Sequence, residues 1–583
     1  MTLSNCRPVG AIVATSVWIA TLGNLVLWSD LWHLSALQGA RGLVFGAALA
    51  LMIAAALTLL ASLLAWRWTL KPALMGLLLA AAAGAHFMAA YGVIIDPTMM
   101  TNVLQTDLHE VGDLLSMRLV LTVLTLGVLP AVAVWQLPLR YAPWPRQLAR
   151  NAGLVVAAAA VLVAAGLMAF QPLASTLRNH HEVRYLINPL NSLYALGHAA
   201  ARPQQRGDLL LHPLGDDATL GASQAGAPRP PLLVLVLGET GRSGNFGING
   251  YERPTTPELA REQVASFRNA WSCGTSTAAS VPCMFSHLGR DGFENRTANF
   301  ENLLDVIQHA GMAVLWIDNQ SGCKGVCERV PSFSTVGTQD PALCADGECF
   351  DEVMLRGLDA RIATLPAAQR ARGVVVVLHQ MGSHGPAYHR RSPQAFKRFQ
   401  PECTSNNLQD CTREELVNAY DNSIAYTDHF LASTIHWLQA QEGQSPPGRP
   451  KGIEPPWGAA PQVSGGRYQT AMVYLADHGE SLGENNLYLH GLPYAIAPDV
   501  QKRVPWISWM SPGFEQRSGV STGCLQTLGD ARLSHDHFFH SVLGLLHVQT
   551  RAYQAAMDVY AGCSAARMAQ VGAGAAVLLA PAP

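Results

Sequence analysis

Five apolar stretches follow one another within the first 170 residues, at 9–28, 42–65, 72–95, 119–135 and 152–170. Each approaches the length a helix needs to cross about 30 Å of hydrocarbon, where every backbone polar group must be satisfied inside the helix. So many runs in so short a span argue against buried helices of a soluble domain. The fourth is the shortest and is expected to end at Pro130 and Pro138. The first is long and lacks a small-residue cleavage site, so it reads as a span rather than a cleaved signal. Charged residues make up only 14% of the chain, and a net charge of −2 offers none of the basic surface that a nucleic-acid partner needs.

Basic residues orient the spans. Arg7, Arg67, Lys71, Arg140, Arg146 and Arg150 lie before the first span or in the second and fourth connections. The alternate connections carry Arg41 and Arg118 against Asp30, Asp96, Asp107, Glu110 and Asp113. The positive-inside rule puts the N-terminus in the cytoplasm, so everything after Phe170 is expected on the far side of the membrane. Cysteine usage agrees, because ten of the eleven follow Phe170. Eight form close pairs, Cys273/Cys283, Cys323/Cys327, Cys344/Cys349 and Cys403/Cys411, read as small-loop disulfides of an oxidising compartment. Spacing alone leaves their connectivity open, and "CKGVC" and "CADGEC" also approach thiolate–metal spacing. Cys524 and Cys563 have no near neighbour and the sequence leaves their pairing open; Cys6 is expected in the cytoplasm.

The expected domains are a five-span membrane domain at 1–171, a bridging segment and linker at 172–230, a catalytic domain at 231–565 and a disordered tail at 566–583. The bridging segment begins with "NHHEVRYLINPLNSLYALGHAA", an amphipathic stretch suited to a membrane surface. Beyond the linker, apolar strands at 232–238, 312–318, 373–379 and 470–476 alternate with helical patterns. Continuous apolar strands separated by helices predict an α/β domain, a mostly parallel sheet with helices on both faces. The Gly- and Pro-rich stretch 439–467 reads as a surface loop.

In an open α/β sheet the carboxyl ends of the strands form one crevice. Glu239 follows the first strand, His379 and His384 the third, and Asp477 and His478 the fourth, with His490 close behind. Glu, Asp and His suit zinc or manganese. A nucleophile is available in "CGTSTAASVPCMFS", where Thr275, Ser276, Thr277 and Ser280 precede an apolar helix. A hydroxyl at a helix N-terminus lies among free N–H groups that suit an alkoxide and a phosphate, although such hydroxyls also serve as plain caps. Spacing does not choose among the four.

Together "GETGRSGNFGINGYERPTTPELA", "SCGTSTAASVPCMFSHLGR", "CKGVC", "GSHGPAYHRR", "AYDNSIAYTDHF" and "ADHGESLGENNLYLHGLPYAIAP" resemble the phosphoethanolamine transferases that modify lipid A. These belong to the alkaline phosphatase and sulfatase superfamily and include the mobile colistin-resistance enzymes. The resemblance spans both halves of the chain. It implies a multi-pass protein of the bacterial inner membrane, acting as a monomer with its catalytic domain in the periplasm. It implies phosphatidylethanolamine as donor and lipid A as acceptor, with lipopolysaccharide core sugars as the alternative, and resistance to polymyxins as the outcome. It makes Thr277 the nucleophile and Glu239, Asp477, His478 and the Thr277 oxygen the ligands of one tightly bound zinc. His384 and His490 then stand near the substrate phosphate or a second zinc, and Ser321 and Lys324 around the phosphoethanolamine. Asn102, Thr106 and Glu110 match positions that bind the ethanolamine head; as one helix, their spacing would put all three on one face. A sulfatase is disfavoured because Met284 stands where its nucleophile motif needs arginine. A lipoteichoic-acid-type transferase fits the "SVPCMFS" loop and paired cysteines less well, and a degenerate receptor would have lost a ligand. The insertion at 439–467 is longer than the family usually carries.

Overall fold

A computed structural model describes residues 7–34, 37–106, 108–205, 210–221, 229–345, 347–444 and 466–564. The chain divides into two compact units, Met1–Leu104 with Leu114–Ala201, and Gln105–Asp113 with Arg202–Pro583.

Among its described residues the first unit holds five helices long and apolar enough to cross a membrane: Pro8–His33, Gly39–Leu63, Leu70–Tyr91, Met117–Gln136 and Trp144–Met168. The fourth does not stop at Pro130. Proline has no N–H for the carbonyl four residues back and its ring crowds that carbonyl. Val123–Val128 relieve this as a π-helical turn, and the released Leu126 carbonyl accepts a hydrogen bond from the Trp18 indole at 3.1 Å. After the fifth span, Asn188, only 1% exposed, anchors the segment read as amphipathic. The Asn188 amide donates to the carbonyls of Gly23 and Ala81, and its backbone N–H donates to Asn24 Oδ1 at 2.8 Å.

In the stretch carrying Asn102 and Thr106, helix α1 (Pro97–Gln105) ends before Thr106 and helix α2 (Leu108–Leu114) follows. The single helix on which a shared face for Asn102, Thr106 and Glu110 depends is therefore not formed. Threonine and aspartate side chains compete with the backbone for hydrogen bonds and favour helix ends, which is what "QTDL" supplies.

The second unit is built on a sheet of β1 (Pro231–Gly238), β2 (Ala265–Trp271), β3 (Ala313–Asp318), β4 (Ser332–Ser334), β5 (Val374–His379), β6 (Gln469–Ala476), β7 (Arg503–Met510) and β8 (Leu533–Ser534). Their order across the sheet is β8-β2-β7-β6-β1-β5-β3-β4. From β6 to β4 neighbouring strands are parallel, whereas β7 is antiparallel to both β6 and β2. All eight residues of β1 are buried, so the strand is covered on both faces. Each Leu or Val removed from water there contributes about 1.5–3 kcal/mol. The parallel half matches the sequence expectation. The other half departs from it: β2 alternates in burial, and β7 carries Pro505 at a register shift between Val504 and Trp506.

Helix α3 (Thr277–Met284) starts at the "CGTST" loop, and the long helix α4 (Arg413–Gln441) packs against β6. Thr412 opens α4 with a capping box, accepting from the Glu415 N–H while Glu415 accepts from its own. The helix runs to Gln441, so the loop expected from residue 439 begins later; residues 445–465 and the tail 566–583 lie outside the described residues. Disulfides join Cys273–Cys283, Cys323–Cys327, Cys344–Cys349 and Cys403–Cys411. Cys524 and Cys563, whose pairing the sequence leaves open, form a fifth. They meet because Val520 and Ser564 pair as a β-bridge beside them, a tertiary contact that spacing cannot reveal.

Candidate active site

β1 and β6 are neighbours in register, with Ala476 opposite Gly238, so Glu239 and Asp477 leave the sheet side by side. The local backbone locks them there. Thr240 adopts φ +59°, a left-handed conformation, and its N–H donates to Asp477 Oδ1 at 3.1 Å while its hydroxyl donates to Glu239 Oε1 at 2.7 Å. The His478 N–H donates to the same Asp477 Oδ1 at 2.7 Å. His478 Nδ1 donates to the Gly479 carbonyl at 2.8 Å, which fixes the proton there and leaves the Nε2 lone pair facing inward. Glu239, Asp477 and His478 each bring a ligand atom within 4.8 Å of the others.

Thr277 is the first residue of α3, and its Oγ1 faces this cluster, 3.1 Å from Glu239 Oε2 and 3.4 Å from His478 Nε2. Two of the other three hydroxyls of the loop are engaged elsewhere. Thr275 donates to the Leu492 carbonyl, Ser280 accepts from the Gly274 N–H, and Ser276 is the cap residue but makes no side-chain cap bond. The Cys273–Cys283 bridge ties the loop to α3, and His535 ties it to the sheet. His535 Nδ1 accepts from the Cys273 N–H at 3.1 Å, and Nε2 donates to the Ala476 carbonyl at 3.0 Å.

The electrostatics ask for a cation. Glu239, Asp477 and His478 are 1% exposed or less. Burial pushes the Asp477 carboxyl up to about 6, and burial reinforced by His490 pulls His478 down to about 4, leaving the imidazole neutral. Among the described residues no Lys or Arg pairs with either carboxylate, and the buried Asp477 Oδ2 accepts no hydrogen bond. Buried carboxylates without a counter-charge cost several kcal/mol. Two carboxylates, a neutral imidazole and a hydroxyl form a donor set that suits a tetrahedral zinc ion.

The chain matches two family models, "Phosphoethanolamine transferase EptA/EptB" over residues 53–203 and "Sulfatase" over residues 231–445 and 462–548. It is 39% identical to phosphoethanolamine transferase EptA of Escherichia coli strain K12, over 85% of this chain and 86% of that one. It is 35% identical to phosphatidylethanolamine transferase Mcr-1 of Escherichia coli, over 93% and 95% of the two chains. The solved integral membrane lipooligosaccharide phosphoethanolamine transferase A of Neisseria meningitidis superposes with a TM-score of 0.86 at 32% identity, covering 95% of this chain and 98% of that one. The chain belongs to the EptA/EptB phosphoethanolamine transferase family. It is a membrane-embedded transferase with a sulfatase-type α/β domain.

Around the transferase site the other residues fall into three groups. His384 and His490 flank the cluster: the His490 ring lies 4.2 Å from that of His478 and 5.8 Å from that of His384, centre to centre. Lys324 lies in the turn closed by Cys323–Cys327, and its Nζ donates to Oγ of Ser321, just before the turn, at 2.8 Å. Their neighbour Gln320 donates to Glu239 Oε2 at 3.0 Å. Thr106 and Glu110 belong to the catalytic unit, whereas Asn102 belongs to the membrane unit.

Sequence reasoning passes over four residues that shape this centre. Gln320 and Thr240 hold Glu239, and Asp318 holds both His379, at 3.0 Å, and the N–H groups of Gln320 and Gly322. Glu480 is buried within 3.3 Å of His490 Nδ1, and burial pushes its carboxyl up to about 8. Glu480 carries a sequence signal, standing in "DHGES" two residues beyond His478, and Asp318 carries another as the last residue of β3.

Proposed function

We propose that the enzyme transfers phosphoethanolamine from phosphatidylethanolamine to a lipid A phosphate through an ester of Thr277. The orientation of Thr277 carries this reading: of the four hydroxyls in its loop, its Oγ1 faces Glu239 and His478. In the first half-reaction Thr277 Oγ1 bonds to phosphorus and the bond from phosphorus to the diacylglycerol oxygen breaks. The threonine proton ends on the released diacylglycerol. In the second, an oxygen of the acceptor phosphate bonds to phosphorus and the Thr277 oxygen departs, regaining a proton.

Glu239, Asp477, His478 and the Thr277 oxygen would hold one zinc, which supplies positive charge against phosphoryl oxygens and favours the alkoxide. The N–H groups at the start of α3 add donors. His384 and His490 move protons to the leaving and entering oxygens, or hold a second ion; their burial beside His478 supports this. Ser321 and Lys324 contact the phosphoethanolamine, and Asn102, Thr106 and Glu110 its ammonium end.

The donor is supported by the name of the Mcr-1 relative and the acceptor by the lipooligosaccharide named for the Neisseria structure. The N-terminus is cytoplasmic and the catalytic domain periplasmic, at the leaflet where both lipids lie. A monomer suffices for both steps. Adding an ammonium to an anionic headgroup weakens its attraction for cationic peptides such as polymyxins. The test is peptide mapping by mass spectrometry after exposure to phosphatidylethanolamine without acceptor. A phosphoethanolamine adduct on Thr277 is expected; an adduct on another residue overturns the assignment.

A further inference from the structure

Residues Gln105–Asp113 group with the catalytic unit, and the last of them is fastened there by a buried ion network. Asp113, its side chain 6% exposed, meets two adjacent guanidiniums: Arg390 Nη1 lies 2.9 Å from Oδ1 and Arg391 Nη2 lies 2.9 Å from Oδ2. Its carbonyl accepts from Asn406 at 2.8 Å. Arg391 is 3% exposed and engages all three nitrogens. Besides Nη2, Nη1 donates to Glu348 Oε2 and Nε donates to the His384 carbonyl, each at 2.9 Å. Arg390 reaches the same Glu348 oxygen at 3.4 Å. Glu348 stands in the hairpin closed by Cys344–Cys349. Burial works to raise its carboxyl, but the two arginines outweigh burial and hold it below its ordinary value.

Two cations and two carboxylates balance, which is the condition for burying such a network. A simple tether would need only one exposed pair. Here a planar fork, rigid in its geometry, bonds the connection on one side and the backbone of an active-site histidine on the other. We infer that Arg391 is a positioning residue that couples docking of the 105–113 connection to the placement of His384. The inference rests on the proposed roles of Thr106 at the ethanolamine head and of His384 at the phosphate. Headgroup capture and proton transfer are then set in register by one side chain. Small displacements matter here, since a misplacement of about 1 Å can cost about a hundredfold in rate.

The test is a mutant cycle in the full-length enzyme in detergent, with phosphatidylethanolamine as donor and lipid A as acceptor. Arg391→Lys keeps the charge but loses the fork, and is expected to lower kcat about 10- to 100-fold. Thr106→Ala is expected to raise KM for the donor in the parent enzyme, and to cost less than about twofold once Arg391→Lys is present. Asp113→Asn, nearly isosteric, repeats the cycle should Arg391→Lys fail to fold. Equal effects of Thr106→Ala in every background overturn the coupling and leave Arg391 a tether. An unchanged KM for Thr106→Ala in the parent removes the headgroup reading, and the coupling falls with it.

Discussion

Thr277 Oγ1 and His478 Nε2 lie 3.4 Å apart although 201 positions separate them in the chain. One begins a helix and the other ends a strand, and His535 bridges the two segments from Cys273 to Ala476. With its hydroxyl removed, the site retains every other group. Thr277→Ala is expected to reduce transfer by about a thousandfold or more, because members of a catalytic unit fail together. Circular dichroism and the five disulfides should be unchanged.

The donor set makes a second prediction independent of turnover. Elemental analysis of the purified enzyme should find about one tightly held zinc per chain, as in a catalytic zinc site. Asp477→Asn should lose most of it. Chelation should lower the thermal midpoint, since an ion present at a hundred times its Kd stabilises by about 2.7 kcal/mol. A midpoint indifferent to chelator in a sample shown to lose zinc would count against the site.

His535 is 1% exposed, and burial pulls its pKa down to about 3, so it is neutral and uses one nitrogen as acceptor and one as donor. His535→Leu leaves the Cys273 N–H and the Ala476 carbonyl without this partner. The expected loss is about 2–4 kcal/mol, read from denaturant midpoints.

A pH effect is expected away from the site. Burial lowers the pKa of His429, but its bonds to Glu258 at 3.0 Å and Glu352 at 3.5 Å outweigh this and raise it to about 9. Because the folded value lies above the unfolded one, the stabilisation is complete below about pH 6.5 and fades as pH rises to about 9. Its size is on the order of 2–3 kcal/mol. Unfolding of His429→Gln should show a flatter pH dependence across that window.

The Cys524–Cys563 bridge links positions 39 apart. Cys524→Ser with Cys563→Ser should cost about 2–4 kcal/mol, seen as a lower thermal midpoint, with full zinc content.

Much of this molecule is legible in its sequence because its signals are local and repetitive. The spans announce themselves by length and apolarity, and β1, β3, β5 and β6 by nearly continuous apolar runs. β2 and β7 do not: "ASFRNAW" is half-exposed, and the proline in "RVPWISWM" demotes it on ordinary rules. The clustering of Glu239, Asp477 and His478 is legible because a parallel sheet brings its strand ends together. What stays hidden depends on tertiary neighbours. Gln320 reaches Glu239 only through the turn that Asp318 holds, and Cys524 meets Cys563 only after the domain closes. The break at Thr106 is in principle readable, since "QTDL" is a poor helix interior, but an i, i+4, i+8 pattern hides it.

The adjacency of β1 and β6 also bears on how the enzyme is made. Glu239 is synthesised early, while Asp477 and His478 appear more than two hundred residues later, after the whole parallel half of the sheet. No shorter nascent chain contains all three of Glu239, Asp477 and His478. A polypeptide released after residue 277 but before residue 478 carries Thr277 and the membrane helices but lacks His478 of the candidate metal-binding group. Truncated products would therefore occupy the bilayer without performing phosphoryl chemistry on its lipids.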